Sequence, residues 1–363
     1  MNKAYKFRIY PNASQRMLLA KTFGCVRFIY NKMLGDKITH YEATKEKLRT
    51  TPAQYKGDFE WLKEVDSLAL ANAQLHLEKA YKNFFRDKSV GFPNFKSKKD
   101  NRRSYTTNLV NGNISLTDGY LKLPKLGLVK VKQHRGVPSE YNLKSVTVSQ
   151  SPSGKHHASI LYEYDADIPP AAIRGVTGLD FSMAELYISS EGESPQYPRY
   201  YRRALDKLAR MQRSLSKMAK GSNNYHKQRQ RIARHHEHIA NQRKDFLHKQ
   251  SRQITNAWDG VAVEDLNMRA MAQALKFGKS VHDNGWGMFV SYLSYKLAEQ
   301  GKQLIKIGRW FPSSKTCSAC GAIKNELSLS ERVYICVCGN VLDRDVNAAL
   351  NIKNEGMRIL GIA

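Results

Sequence analysis

The chain has 363 residues, and 59 lysines and arginines outnumber 32 aspartates and glutamates, for a formal net charge of +27. That excess excludes an ordinary metabolic enzyme and fits a polyanionic partner, most often nucleic acid. The length allows two or three domains with real cores, and five cysteines, four of them clustered, imply a reducing compartment. Neither a signal peptide nor a membrane span is expected, because no long apolar run is present.

In chain order, Tyr5-Lys6-Phe7-Arg8-Ile9 alternates and then meets Pro11, the pattern of a short strand. Asn12 with Gln15 reads as a helix N-cap and its reciprocal partner. Apolar residues then recur at helical spacing through Leu18, Leu19, Phe23, Val26, Phe28, Ile29 and Met33. Cys25 falls inside this run and is expected to be a buried small hydrophobe. A second helix is predicted from about Ser67 to Phe85, and Gly91 and Pro93 end the helical section. Lys96, Lys98, Lys99, Arg102 and Arg103 form a basic run that reads equally as a solvated linker or a phosphate contact. Tyr105, directly after it, is a candidate to stack on a base or sugar.

From Tyr105 to Tyr164, turn signals such as Asn111-Gly112, Asp118-Gly119 and Pro152-Ser153-Gly154 punctuate short β-rich runs: Tyr120–Leu123, Leu128–Val131, Val146–Val148 and Ser159–Tyr164. This is the pattern of a small antiparallel barrel, and the first strand is expected to join it, making the helices between an insertion. Ile168-Pro169-Pro170 marks a domain boundary. Beyond it, strand-like runs at Gly175–Asp180, Glu185–Ile188, Val261–Glu264 and Leu304–Ile307 alternate with helices at roughly 200–220, 224–257 and 287–300, an α/β module. Ile232, Ile239 and Phe246 form a seam on the second of these helices. Arg229, Arg231, Arg234, Arg243, Lys244, Lys249 and Arg252 lie on its other faces, with almost no acids to pair at i,i+4, which favours a phosphate-facing surface.

Two sets of residues carry chemistry. Cys317/Cys320 and Cys336/Cys338 are two close pairs, the pattern of a zinc knuckle pair. Asp180 in Gly-Leu-Asp-Phe-Ser, Glu264 in Val-Ala-Val-Glu and Asp345 in Asp-Arg-Asp-Val-Asn-Ala-Ala are candidate ligands of divalent metal. Two-metal phosphodiester hydrolysis needs several carboxylates converging on one point, because hard cations take oxygen ligands. Taken singly, each acid reads as readily as a turn residue or a helix cap. Asp265 and Asp343 compete with Glu264 and Asp345. Asp345 is favoured because its side chain would face the sheet with Ala348 and Ala349, whereas Asp343 would brace the preceding loop.

Four stretches then point to a family: Phe23-Gly24-Cys25-Val26-Arg27-Phe28-Ile29-Tyr30-Asn31, Val263-Glu264-Asp265-Leu266-Asn267, Trp310-Phe311-Pro312-Ser313-Ser314-Lys315-Thr316-Cys317, and the Asp-Arg-Asp-Val-Asn-Ala-Ala run. Over nearly its whole length the chain resembles the TnpB proteins of bacterial and archaeal transposons, relatives of the type V CRISPR effector nucleases. The resemblance implies an α+β multidomain protein. A wedge-like β-barrel would occupy residues 1–10 and 100–170, and a helical recognition lobe residues 11–99. An RNase H-like (RuvC) α/β nuclease domain would occupy 171–310 and 341–363, with a zinc-binding insertion at 311–340. It implies RNA-guided, metal-dependent cutting of DNA beside a short target-adjacent motif. Asp180, Glu264 and Asp345 would be the catalytic acids, on Mg²⁺ or Mn²⁺, and Cys317, Cys320, Cys336 and Cys338 would hold structural zinc. The partners would be a guide RNA from the transposon end and double-stranded target DNA, with no membrane. The protein would be a monomer on its RNA in a prokaryotic cytoplasm, associated with the nucleoid. Two departures stand out: Phe181-Ser182 replaces the usual apolar residue and Gly, and Cys-x-Cys replaces the usual Cys-x-x-Cys, a spacing that strains a zinc knuckle. A strand-transferring transposase and a nuclease-silent, RNA-guided DNA-binding regulator are the competing readings, the intact acids weighing against the regulator.

Overall fold

Alternation along the first strand, β1 (Asn2–Tyr10), buries Tyr5, Phe7 and Ile9, leaving Lys6 exposed and Arg8 half-buried between them. That burial puts β1 in the middle of a sheet. In the computed structural model, which describes every residue except Lys88, Asn101, Arg269, 272–282, Leu329 and Ala363, β1 pairs with the last strand of its unit on one side and a central one on the other. The strands that follow are β2 (Arg103–Asn108), β3 (Ser115–Thr117), β4 (Tyr120–Leu123), β5 (Gly127–Lys132), β6 (Asn142–Gln150) and β7 (His156–Glu163). They form a seven-stranded antiparallel sheet in the order β2-β6-β7-β1-β5-β4-β3. Among the described residues the hydrogen-bonded order of the expected barrel is open, ending at β2 and β3. β3 has only three residues, and the helices inserted between β1 and β2 pack against β2.

Those helices are α1 (Ala13–Thr44) and α2 (Ser67–Arg86). Asn12 and Gln15 form the reciprocal cap that starts α1, and Gln15 Nε2 also donates to the carbonyls of Leu126 and Leu128. Cys25 is buried, and burial pushes its thiol up to about 11. Asn31 clasps the Lys96 backbone at both its N–H and its carbonyl, and the Lys96 ammonium lies 3.9 Å from the Tyr30 ring centroid. Tyr105 is only 3% exposed and packs against Phe23, so it offers no face to a base. It and Thr107 are the inward-facing residues of β2, a strand absent from the β-rich runs read in the sequence.

Residues Met1–Ala166 form one compact unit and Asp167–Ala363 a second. The second contains β8 (Val176–Ser182), β9 (Leu186–Ser189), α3 (Tyr200–Ser216), α4 (Asn223–Ala257), β10 (Gly260–Glu264), α5 (Trp286–Ala298), β11 (Gln303–Ile307), the hairpin β12 (Val333–Ile335)/β13 (Val341–Asp343), and α6 (Arg344–Leu360). Its sheet runs β11-β10-β8-β9, with β8, β10 and β11 parallel and β9 antiparallel. Leu179, Val261 and Val263 share a core with Leu247 and Ile254 of α4 and with Trp286, Phe289, Leu293 and Leu297 of α5. Ala262, Ile305 and Ile307 pack with Ile352 of α6 in a separate cluster.

Helix α4 departs from expectation in two ways. Asp245 pairs with Lys249 at i,i+4, 2.8 Å apart, so the basic face is not free of such pairing. Arg243 is drawn inward, its Nη1 3.5 Å from the Asp283 carbonyl, whereas Arg229, Arg231, Arg234, Lys244 and Arg252 stay exposed. Among the described residues no helix is long and apolar enough to cross a membrane.

Candidate acid cluster and cysteine cluster

Strand alternation decides where the acids point. Side chains two apart share a face. Gly178 lies against α6, so Asp180 shares that face; Ala262 lies against Gly356 of α6, so Glu264 does too. The last parallel rung is Leu179–Val263, and Asp180 and Glu264 are the next residues on neighbouring strands. Asp180 does not end its strand: β8 continues through Phe181-Ser182, and the Ser182 hydroxyl accepts the Glu185 N–H in the turn that follows. Asp345 is the second residue of α6, on the stripe that continues through the buried Ala348, Ala349, Ile352 and Gly356.

Close approach of α6 to the sheet rests on glycine. A Cβ on Gly178 would stand 2.1 Å from the Ala349 carbonyl, and one on Gly356 would stand 2.5 Å from Ala262 Cβ. Asp180 consequently feels both other acids. Burial, then Glu264, then Asp345 push the Asp180 carboxyl well above the usual carboxylate range, against a smaller opposing effect of Arg344. Burial also raises Glu264, opposed by the hydroxyl of buried Ser313, which donates to its carboxylate. Arg344 holds the Asp345 carboxylate at 3.2 Å. The site gathers hard oxygen donors whose negative charge the protein leaves undercompensated, a donor set suited to Mg²⁺ or Mn²⁺.

The competing acids are placed elsewhere. Asp265 has the opposite parity and is shared by Lys306 and Arg309, at 3.2 and 3.5 Å. Asp343, the last residue of β13, caps α6 by accepting the N–H groups of Asp345 and Val346.

Cys317, Cys320, Cys336 and Cys338 bring their sulfurs within 4.8 Å of one another, and among the described residues this is the set gathered so closely; the carboxylates stand more loosely. The Cys317–Cys338 and Cys320–Cys336 sulfur separations are 3.7 and 3.6 Å. Zn–S bonds of about 2.3 Å in a tetrahedron require sulfur separations of about 3.8 Å. These two separations, each between one residue of the Cys-x-x-Cys pair and one of the Cys-x-Cys pair, lie close to that value, so the donor set fits zinc. The Cys-x-Cys pair sits in the tight end of the β12/β13 hairpin, where Gly339 takes φ +87° and its N–H closes onto the Cys336 carbonyl. Burial pushes the Cys317 thiol up, but hydrogen bonds from the Cys320 N–H, the Asn340 amide and the Ala319 N–H outweigh it and bring it down, while at Cys320 the Ala322 N–H is outweighed by the other three sulfurs, which push that thiol up, so the cluster shares its negative charge unequally.

Two buried asparagines couple the clusters. Asn347 Nδ2 donates to the Thr316 carbonyl and its Oδ1 accepts the Ser318 N–H; Asn351 Nδ2 donates to the carbonyls of Ser313 and Thr316. One helix thus carries Asp345 and grips the segment that delivers both Ser313 and Cys317. Sequence reasoning assigned no role to Asn347, Asn351, Ser313 or Arg344. The available signal was two asparagines four apart in a helix interior, where asparagine is otherwise unfavourable.

Three family profiles match successive parts of the chain: the OrfB_IS605 helix-turn-helix domain over residues 1–46, OrfB_IS605 itself, described as "Probable transposase", over 159–275, and a "Cas12f1-like, TNB domain" over 286–352. Residues 1–46 fold here as β1 and the single helix α1. A Streptomyces pristinaespiralis protein named "Putative RNA-guided DNA endonuclease" is 36% identical over 98% of this chain and 90% of its own. The Escherichia coli K12 protein "Putative RNA-guided DNA endonuclease InsQ" is 31% identical over 99% of this chain and 93% of its own. The fold is similar to that of the protein in a Cas12f1–sgRNA–target DNA complex, with a TM-score of 0.63 at 13% identity, covering 98% of this chain and 99% of that one. The chain belongs to the OrfB_IS605 family, the transposon-associated TnpB proteins.

Proposed function

We propose that this protein is an RNA-guided, metal-dependent DNA endonuclease with an RNase H-like (RuvC) active site. The observation that carries the reading is that Asp180 and Glu264 follow the last rung of neighbouring strands on the face packed by α6, the helix that carries Asp345, and that burial, then Glu264, then Asp345 push the Asp180 carboxyl up. Divalent ions bound there would activate a water and stabilise the leaving oxygen of a phosphodiester. The chain's own contributions are positional. Ser313 fixes the Glu264 carboxylate, Asp343 caps the helix carrying Asp345, and Arg344 balances part of the charge before substrate arrives. The four cysteines would hold a structural zinc, and Asn347 and Asn351 would pass that rigidity to the acid helix.

Residues 1–10 and 100–170 would act as the wedge, residues 11–99 as the recognition lobe, 171–310 with 341–363 as the nuclease domain and 311–340 as the zinc insertion. The exposed arginines of α4 would contact phosphates. The partners on this reading are a guide RNA from the transposon end and double-stranded target DNA, with one protein per RNA. Support comes from the net charge of +27 and from relatives named for RNA-guided DNA cutting. The test is to sequence the RNA that copurifies and supply DNA carrying its complement. Cutting of that DNA, and not of a mismatched control, is expected with Mg²⁺. Joining of transposon-end DNA without RNA would identify a transposase, and binding without cutting a regulator.

A further inference from the structure

Trp310 is 90% exposed, an unusual state for the largest apolar side chain. It is not on a loose tail. The segment Gly308–Pro312 leaves β11 directly after Ile307, the register partner of Glu264, and returns at Ser313, whose hydroxyl donates to Glu264. Both ends of the segment are therefore fixed on one catalytic acid. Trp310 lies three positions from Ile307 and three from Ser313, so its backbone stays within ~11 Å of both.

Its neighbours are held as well. Arg309 donates to the Asp265 carbonyl and pairs with the Asp265 carboxylate, and the Phe311 N–H closes a turn onto the Gly308 carbonyl. Phe311 packs against the core formed by Ala262, Ile305, Ile307 and Ile352. Anchoring on both sides leaves the indole projecting from a rigid support. The rim beside it is basic: Lys306 and Arg309 share the single carboxylate of Asp265, so one positive charge is in surplus.

A flat, exposed π-face beside surplus positive charge recognises an unpaired nucleotide, because an aromatic ring stacks on any base that has left its helix while the cation meets the phosphate. A paired base offers no free face. We propose that Trp310 is the stacking platform for an unpaired nucleotide of the DNA strand held at the acid cluster, next to the phosphodiester to be cut. This rests on the nuclease reading above and deepens it. Stacking there would fix the approach of the strand to Asp180, Glu264 and Asp345.

The test uses the full-length protein with its copurified RNA, in chelator so that nothing is cut, titrated with a short single-stranded oligothymidine. Tryptophan emission is expected to fall, and the fall is expected to vanish in Trp310→Phe, which keeps an aromatic face but not the indole. Trp310→Leu is expected to lose on the order of tenfold in oligonucleotide affinity, with Trp310→Phe restoring most of it. With Mg²⁺ and guided target, Trp310→Leu should raise KM with kcat largely spared. Wild-type affinity in Trp310→Leu would overturn the proposal. So would Trp310 emission that is already quenched by the RNA and unchanged by DNA, which would assign the indole to the guide. The nuclease reading fails separately: cutting that survives Asp180→Ala sinks it and leaves the metal-free quench untouched, whereas a missing quench beside Asp180-dependent cutting sinks only the stacking.

Discussion

Gly178→Ala tests whether the contact between α6 and the sheet places the third acid. The added Cβ would meet the Ala349 carbonyl at 2.1 Å, the Lys353 N at 2.5 Å and the Lys353 Cβ at 2.9 Å. Two of these atoms are backbone, so no rotamer change relieves them. Restoring ordinary contact of about 3.5 Å requires α6 to retreat by about 1.4 Å. Overpacking of this kind costs roughly 1–3 kcal/mol, only partly offset by the ~0.5 kcal/mol that replacing a strand glycine otherwise returns. For a unit of this size the net cost of about 0.5–2.5 kcal/mol should lower the melting temperature by roughly 1–10 °C. Retreat of α6 carries Asp345 away from Asp180 and Glu264, and a misplacement near 1 Å costs about 100-fold in rate. The assays are a thermal melt and guided cleavage of labelled DNA at saturating Mg²⁺. Gly24→Ala, inside α1 with nothing within 4 Å of the new Cβ, is the control, and should stabilise slightly and cut normally. Wild-type melting and cutting by Gly178→Ala would refute the argument that this contact sets the acid geometry.

Metal analysis should find about one zinc per chain under reducing conditions. Cys336→Ser should lower it, reduce stability and slow cutting through the Asn347/Asn351 coupling; zinc-free wild-type protein would contradict this. Asp343→Asn should retain most cutting, since asparagine caps a helix nearly as well, while Asp345→Asn should abolish it; the reverse pattern would exchange their roles. Lys296 is buried, donates to the His248 carbonyl and the Ser251 hydroxyl, and is pulled down by burial to about 8. Its charge therefore opposes folding below that pH, by an amount of order 3 kcal/mol, and the penalty fades as pH rises from about 8 toward the unfolded value of 10.5. Lys296→Met should accordingly melt at or above wild type at pH 7, with the gap narrowing by pH 10. A gap that widens would show that the lysine's hydrogen bonds dominate.

Much of the second unit was legible because buried parallel strands read as continuous apolar runs, and Val261–Glu264 and Leu304–Ile307 fall within the observed strands. The acids could be nominated from strand and helix positions, but their convergence could not be read, because it depends on Gly178 and Gly356. Either glycine reads locally as a weak point in its element, and only the packed helix shows why a Cβ is excluded. Tyr105 was misjudged because it was read with the basic run before it and not as part of a strand, whereas β2 begins at Arg103 and alternation turns Tyr105 inward. Antiparallel strand signals located most of the first sheet but do not report closure, and the hydrogen-bonded order is open at β2 and β3. Asp283, which accepts the N–H groups of Tyr201 and Arg202 at the start of α3, does so across some eighty residues, a contact no local pattern encodes.

The central claim is that Asp180, Glu264 and Asp345 form one metal-dependent cutting site on a protein that binds nucleic acid through other surfaces. Asp180→Ala, assayed for guided DNA binding and for cleavage on the same RNA-bound preparation, tests it most directly. Near wild-type binding with cutting abolished in Mg²⁺ is the predicted result. Cutting that persists, or binding and cutting lost together, would contradict the account.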